Sequence, residues 1–215
     1  MLGYPDGHVF YRKLTRSYPR IVRGDGCYLY DDDGKRYLDG SGGAFVSNIG
    51  HGRPEIGEAL AAQARAFGYV SGIAFTHPPV EAMAAELARR APGDLDRVYF
   101  LTSGSEAVEA ALKLARQYWV ESGQPAKHKI IALAPGYHGN TLLALSASAR
   151  AHYKTFFGDW LVSVRTVPAP YAYRCACRGG TPPCDACSGA ALEAAIVEEG
   201  QIGRASCRER VCVPV

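Results

Sequence analysis

Two short polar turns carry the residue types that could do chemistry. In the first, Thr102, Ser103, Gly104, Ser105 and Glu106 stand between an apolar run, RVYFL (97–101), and a strongly periodic segment. Ser103 and Glu106 have the S-x-x-E spacing of a capping box. Behind them Val108, Ala111, Leu112, Ala115 and Trp119 recur at helical intervals, so a helix is predicted from near Gly104 to about Glu121. Its first N–H groups have no partner inside the helix. Gly104 leaves that backbone accessible, Ser105 adds a hydroxyl, and the helix dipole favours an anion. The turn is therefore a candidate phosphate cradle. An ordinary capped helix that binds nothing is the competing reading, and these residues alone leave both open.

The second turn is APGYHGNT (134–141), which follows another apolar run, KIIAL (129–133). Tyr137 offers a flat aromatic face, His138 a polar ring and Gly139 backbone freedom. A packed aromatic and a structural histidine are the plain alternatives. A phosphate cradle and an aromatic platform at neighbouring strand ends together suit a flat, phosphorylated cofactor.

The surrounding elements must hold these turns. YLYDDDGKRYLDG (28–40) reads as a β-hairpin around Asp33-Gly34. Its acidic run fails as a calcium loop: with Gly34 sixth, the first ligand position is Leu29. SGGAFVSNIGHG (41–52) lacks dinucleotide spacing and reads either as a loop whose backbone approaches something closely or as a plain connector. Helices are predicted over 53–67, with Ile56, Leu60, Ala64 and Phe67 on one face, over 78–93, over 141–149 and over 191–200. RVYFL and KIIAL read as strands covered on both faces, and WLVSVRTV (160–167) as a third. Strands alternating with helices indicate an α/β fold with a mostly parallel sheet.

The chain has 215 residues, 47% of them hydrophobic, which suits a soluble globular protein. No apolar run reaches membrane-spanning length, and MLGYPDGHVFYRK has no secretory apolar core. Cytoplasm is the default compartment. The formal charge of +3 is too small to imply nucleic acid. Residues 201–215 stand apart: they show no periodicity, and IGRASCRERV resembles a translated sequencing adapter. They are read as a non-native tail, a native unstructured terminus being the alternative. Three arginines against one glutamate give this tail most of the net charge.

Cys175, Cys177, Cys184 and Cys187 form C-x-C-x6-C-x2-C. Four thiolates so close could hold zinc. Unligated loop cysteines are the reading adopted, with no metal assigned, and a zinc-stapled interaction module without catalysis is the alternative from another functional class.

TSGSEAVEAALKLARQY, the YHGNT turn and YLYDDDGKRYLDGSGGAFVSNIGHGRPEI, in this order and spacing, resemble class III aminotransferases, the pyridoxal-phosphate enzymes of fold type I. The resemblance runs to about Gly200. It implies part of a fold type I large domain (56–200) preceded by a small-domain hairpin segment (1–55), with 201–215 outside the family. By this resemblance Gly104 and Ser105 hold the phosphate of pyridoxal 5'-phosphate, Tyr137 stacks on its ring, and His138 and Gly139 complete the turn beneath. Phe45 matches a position that lines the substrate pocket, and Glu106 is structural. The implied reaction moves an amino group from an amino acid or amine to a keto acid or aldehyde, in a homodimer to which residues 68–79 contribute near the partner's site. An aminomutase or decarboxylase of the same fold is the alternative. The Schiff-base lysine and the aspartate at the ring nitrogen lie later in the family's chain than any residue here. None of Lys13, Lys35, Lys113, Lys127, Lys129 and Lys154 has the matching context, so the chain by itself is expected to be inactive.

Overall fold

The structure, a computed structural model, describes residues 7–169, 171, 189–200, 202–208 and 211–214, the last two stretches as backbone. The four clustered cysteines lie outside the described residues. The chain divides into two compact units, Met1–Arg90 and Ala91–Val215.

The first unit begins with three antiparallel strands in sequential order, β1 (Ile21–Asp25), β2 (Tyr28–Asp31) and β3 (Arg36–Leu38). The predicted hairpin is β2–β3. Its turn is organised by Asp31, whose carboxylate accepts the amides of Asp33 (3.1 Å) and Lys35 (2.8 Å) and the hydroxyl of Tyr37 (2.7 Å). These bonds make the Asp31 carboxylate the scaffold of the turn. Arg23 lies 3.7 Å over the Tyr30 ring and Arg36 4.6 Å over that of Tyr28, so the tyrosines anchor cations across the sheet. β1 carries no clear alternation: Ile21 and Val22 are both exposed, which leaves an edge strand without a period-2 signal.

One turn, α1 (Gly42–Phe45), follows, then α2 (Pro54–Ala66) and α3 (Pro78–Arg90). Pro54 opens α2, where its missing N–H is no loss. On α3, Glu86 bonds Arg89 (2.7 Å) and Arg90 (2.5 Å) at helical spacing. The apolar face predicted for α2 is present but uncovered among the described residues, with Ile56 and Leu60 exposed.

The second unit contains α4 (Gly104–Glu121), β4 (Lys129–Ala134), α5 (Leu142–Ala147), α6 (Ala151–Lys154), a 3-10 turn (Gly158–Trp160), β5 (Arg165–Pro168), α7 (Ala190–Glu199), β6 (Ile202–Arg208) and β7 (Val211–Pro214). The sheet order is β5-β4-β6-β7, with β4 parallel to both neighbours and β7 antiparallel to β6. β4 is covered on both faces. Ala132 packs with Leu112 of α4 and Ala147 of α5, while Ile131 packs with Val167 of β5 and Ala195 of α7. Burying an aliphatic side chain of this kind contributes about 1.5–3 kcal/mol. This two-sided cover explains the unbroken apolar run of KIIAL.

Three expectations change. RVYFL (97–101) forms no strand: it has no ladder partner among the described residues, and Tyr99, Phe100 and Leu101 are exposed. Apolar, β-prone residues need a neighbouring backbone to become a strand, and none is supplied here. The third predicted strand shortens to β5, because Trp160 closes the preceding 3-10 turn. The tail, expected to be irregular, pairs with β4 as β6. An open strand edge offers unpaired N–H and C=O groups that any extended backbone satisfies, whatever its side chains. The pairing is correspondingly irregular between Lys129 and Ile131.

No helix among the described residues is long and apolar enough to cross a membrane.

Candidate active site

α4 starts where the capping residues require. Ser103 is extended (φ −145°, ψ 159°), and its hydroxyl accepts the Glu106 amide at 3.2 Å. Glu106 answers by accepting the Ser103 hydroxyl at 3.1 Å, a variant of the reciprocal box in which the carboxylate takes the O–H rather than the backbone N–H. Hydrogen bonds from Thr102 and then Ser103 hold the Glu106 carboxyl below its ordinary range. The amides of Gly104 and Ser105 meet no acceptor among the described residues. A Cβ placed on Gly104 would find no atom within 4 Å. The positive end of this 18-residue helix thus keeps two amides without an acceptor among the described residues.

The turn after β4 is fitted against this helix end. Gly139 has φ 142°, and a Cβ there would lie 2.8 Å from Ser105 Cα and 2.9 Å from its Oγ. Only glycine admits that approach. The Asn140 amide donates to Ser105 Oγ at 3.1 Å. The structure therefore brings Gly139 and Asn140 against Ser105 at the start of α4, while the contacts of His138 are with Ser148 and Gly136.

His138 is buried, and its amide donates to Ser148 Oγ at 2.9 Å. Ser148 passes the bond on to Ala144 O at 3.0 Å. Beneath it Gly136 is close-packed: a Cβ there would meet Leu133 O at 2.5 Å and His138 Nε2 at 2.9 Å. Tyr137, by contrast, is 49% exposed, and its ring leans on Tyr153, centroids 5.5 Å apart. The turn thus buries the histidine and leaves the tyrosine half exposed. Phe45, in the first unit, is exposed and sits at the end of α1.

Three side chains that hold these turns escape sequence reasoning. Glu109 Oε2 accepts the Thr141 hydroxyl at 2.5 Å and the Ala144 amide at 3.2 Å, so α4 supplies the N-cap of α5. Thr141, at the cap position itself, makes no side-chain capping bond. Tyr153 supports the Tyr137 ring, and Ser148 pins the backbone of His138. Glu109 shares its helix with many polar residues and carries no local signal; the serine run in LSASA hints only at helix-side hydroxyls.

Three lysines of this unit are engaged with other groups. Lys129 Nζ bonds Glu199, Lys127 Nζ lies 3.7 Å over the Trp119 ring, and Lys154 Nζ donates to Ser146 O at 2.7 Å. Burial pushes the Lys154 ammonium below its usual range. Lys113 is exposed on α4.

Known proteins resemble this chain in sequence and in fold. The aminotransferase class-III family profile matches residues 11–200. A protein of Mycobacterium tuberculosis named probable aminotransferase is 44% identical over 158 residues, covering 74% of this chain and 34% of the relative. An (S)-enantioselective omega-transaminase from Thermomicrobium roseum superposes with a TM-score of 0.85 at 35% identity, covering 93% of this chain and 46% of that one. An amine transaminase from an uncultivated Pseudomonas species, solved with pyridoxal phosphate bound, gives 0.78 at 33% identity, covering 95% and 47%. The chain spans about a third of the curated relatives it matches. A helix start and a glycine turn fitted to each other, within a profile match over nearly the whole chain, leave one conclusion: it belongs to the class III aminotransferases, a pyridoxal-phosphate family of fold type I.

Proposed function

We propose that the protein to which this chain contributes transfers an amino group from an amino acid or amine to a keto acid or aldehyde, and that this chain supplies the coenzyme's grip. Gly104 and Ser105 hold the phosphate with two amides and a hydroxyl. Tyr137 covers one face of the ring, His138 and Gly139 set the turn, and Phe45 lines the substrate pocket. When bound, the cofactor supplies a carbonyl that condenses with amines and a ring that accepts electrons. The single observation that carries the reading is the contact of Gly139 with Ser105 beside two helix amides that meet no acceptor among the described residues. An anion held by these amides would lie at the positive end of α4.

The domain division 1–55 and 56–200, with 201–215 outside the native sequence, belongs to this proposal. So do a cytoplasmic homodimer and a proton-moving lysine outside this chain. The aminomutase and decarboxylase readings share the grip, and no observation favours them.

The test compares pyridoxal 5'-phosphate with pyridoxal, each titrated into this chain and into the full-length protein and followed by equilibrium dialysis. Saturable binding that needs the phosphate, and that Ser105→Ala weakens roughly tenfold through loss of a charge-assisted hydrogen bond, supports the proposal. Equal affinity of the full-length protein for both compounds would sink it. Reading the gene past Gly200 checks the rest: a lysine at a later strand-end turn is expected.

A further inference from the structure

Phe45 is carried by backbone that its neighbours do not favour. Gly42, Gly43, Ala44 and Phe45 have φ of 53°, 59°, 62° and 68°. Four successive residues are left-handed, and two of them bear a Cβ. An L-residue in this region crowds its own carbonyl, so the turn persists only if its surroundings impose it.

The loop is bonded to its surroundings at both ends. Asp39 Oδ1 accepts the Gly42 amide at 2.9 Å, and Asp39 Oδ2 meets His51 Nε2 at 2.8 Å. Both side chains are largely buried. The Asp39 amide donates to Cys27 O at 2.9 Å, and His51 exchanges two backbone bonds with Gly26, at 2.8 and 3.0 Å. The two ends of the loop are therefore tied to adjacent residues of the β1–β2 turn. The glycines here are required by contact: a Cβ on Gly24 would lie 2.5 Å from His51 Cβ, and one on Gly52 would lie 2.4 Å from Gly24 O. Within the loop, Phe45 N bonds Ser41 O (3.0 Å), and Val46 N and Ser47 N bond Gly42 O (2.8 and 2.9 Å). Each of these bonds depends on where Gly42 is held.

We infer that Asp39 and His51 form a clasp that locks Gly42–Phe45 in its left-handed turn and so sets the direction in which Phe45 meets the substrate. Asp39 and His51 are positioning residues, since neither needs to touch the reacting groups. The inference rests on the assignment of Phe45 to the substrate pocket, and the experiment separates the two.

Amide hydrogen exchange of the 215-residue chain reads the clasp directly. Asp39→Ala is expected to speed exchange at Phe45, Val46 and Ser47 by about tenfold or more, while β1–β3 amides stay within about twofold of the parent. Asp39→Asn, which keeps an acceptor for Gly42, restores most of the protection. Unchanged exchange at the three amides, or an equal rise across β1–β3, overturns the clasp. If Asp39→Ala does not fold, His51→Ala decides, because it leaves the Gly42 bond in place. A selective rise of about threefold supports the clasp, and none overturns it. In the full-length enzyme, Asp39→Ala and Phe45→Ala are both expected to raise KM for the amino acceptor more than they lower kcat. Loosened exchange with KM unmoved in both variants overturns the assignment of Phe45, and with it the clasp's part in substrate selection. Unmoved exchange overturns the clasp whatever KM does.

Discussion

Gly139 and Ser105 are packed so closely that a single methyl group on the glycine would stand 2.8 Å from the serine Cα. This contact joins the helix start to the turn after β4, and everything proposed about the site hangs from it. Gly139→Ala is therefore expected to force the turn away from α4. The added methyl also meets Ala144 Cβ at 2.9 Å, and the residue would hold a φ of 142°. Overpacking of this kind costs about 1–3 kcal/mol. Urea denaturation measures the loss of stability; a variant as stable as the parent would show that the two loops are not in contact.

Glu109 is the second weld between α4 and α5. Removing it in Glu109→Ala leaves the Thr141 hydroxyl and the Ala144 amide without their acceptor, at an expected cost of about 1–3 kcal/mol. Glu109→Gln keeps an acceptor oxygen and is expected to retain most of the stability. The same denaturation series distinguishes them, and equal effects of Ala and Gln would rule out the capping role.

Acid should loosen the first unit. The Tyr37 hydroxyl, with the amides of Lys35 and Asp33, holds the Asp31 carboxyl below its ordinary range. His51, with the Gly42 amide, does the same for Asp39. A carboxylate whose value is lower in the folded chain binds fewer protons folded than unfolded. Its stabilisation is complete above the unfolded value of about 3.9 and is lost as pH falls through the folded value. Denaturation midpoints are expected to fall as pH drops below about 4, and Asp31→Asn and Asp39→Asn should each flatten that fall. An identical slope in both variants would contradict the assignment.

The same pair acts in the opposite sense at high pH. The hydrogen bond to Asp31 pushes Tyr37 up to about 12. A raised value keeps the phenol protonated in the fold, so its contribution is intact below the ordinary tyrosine value of about 10 and fades as pH climbs toward the folded one. Ultraviolet titration should show one tyrosine ionising well after the others. Asp31→Asn should return it to the main group; a single unresolved transition in the parent would refute the bond.

Much of the local structure is readable along the chain. Ser103 and Glu106 announce the start of α4, Pro54 that of α2, and Asp33-Gly34 the hairpin turn. KIIAL identifies itself as a strand buried on both faces, because an unbroken apolar run has no wet side to alternate toward. RVYFL carries the same composition and fails, since being apolar does not provide a ladder partner. The tail fails in the other direction, as pattern-free residues take up a strand where an edge was open.

The site divides along the same line. The sequence by itself determined which residues have the right chemistry: helix amides behind a small polar cap, a glycine that tolerates unusual backbone, and an aromatic beside a histidine. Those properties belong to single residues and to spacings of three or four. Only the tertiary structure decided that Ser105 faces Gly139, that Glu109 caps a helix it does not belong to, that Tyr137 stays exposed while His138 is buried, and that Asp39 reaches His51. Each of these joins or sorts residues according to how strands and helices pack, and packing follows from backbone pairing and burial that no short stretch of sequence encodes.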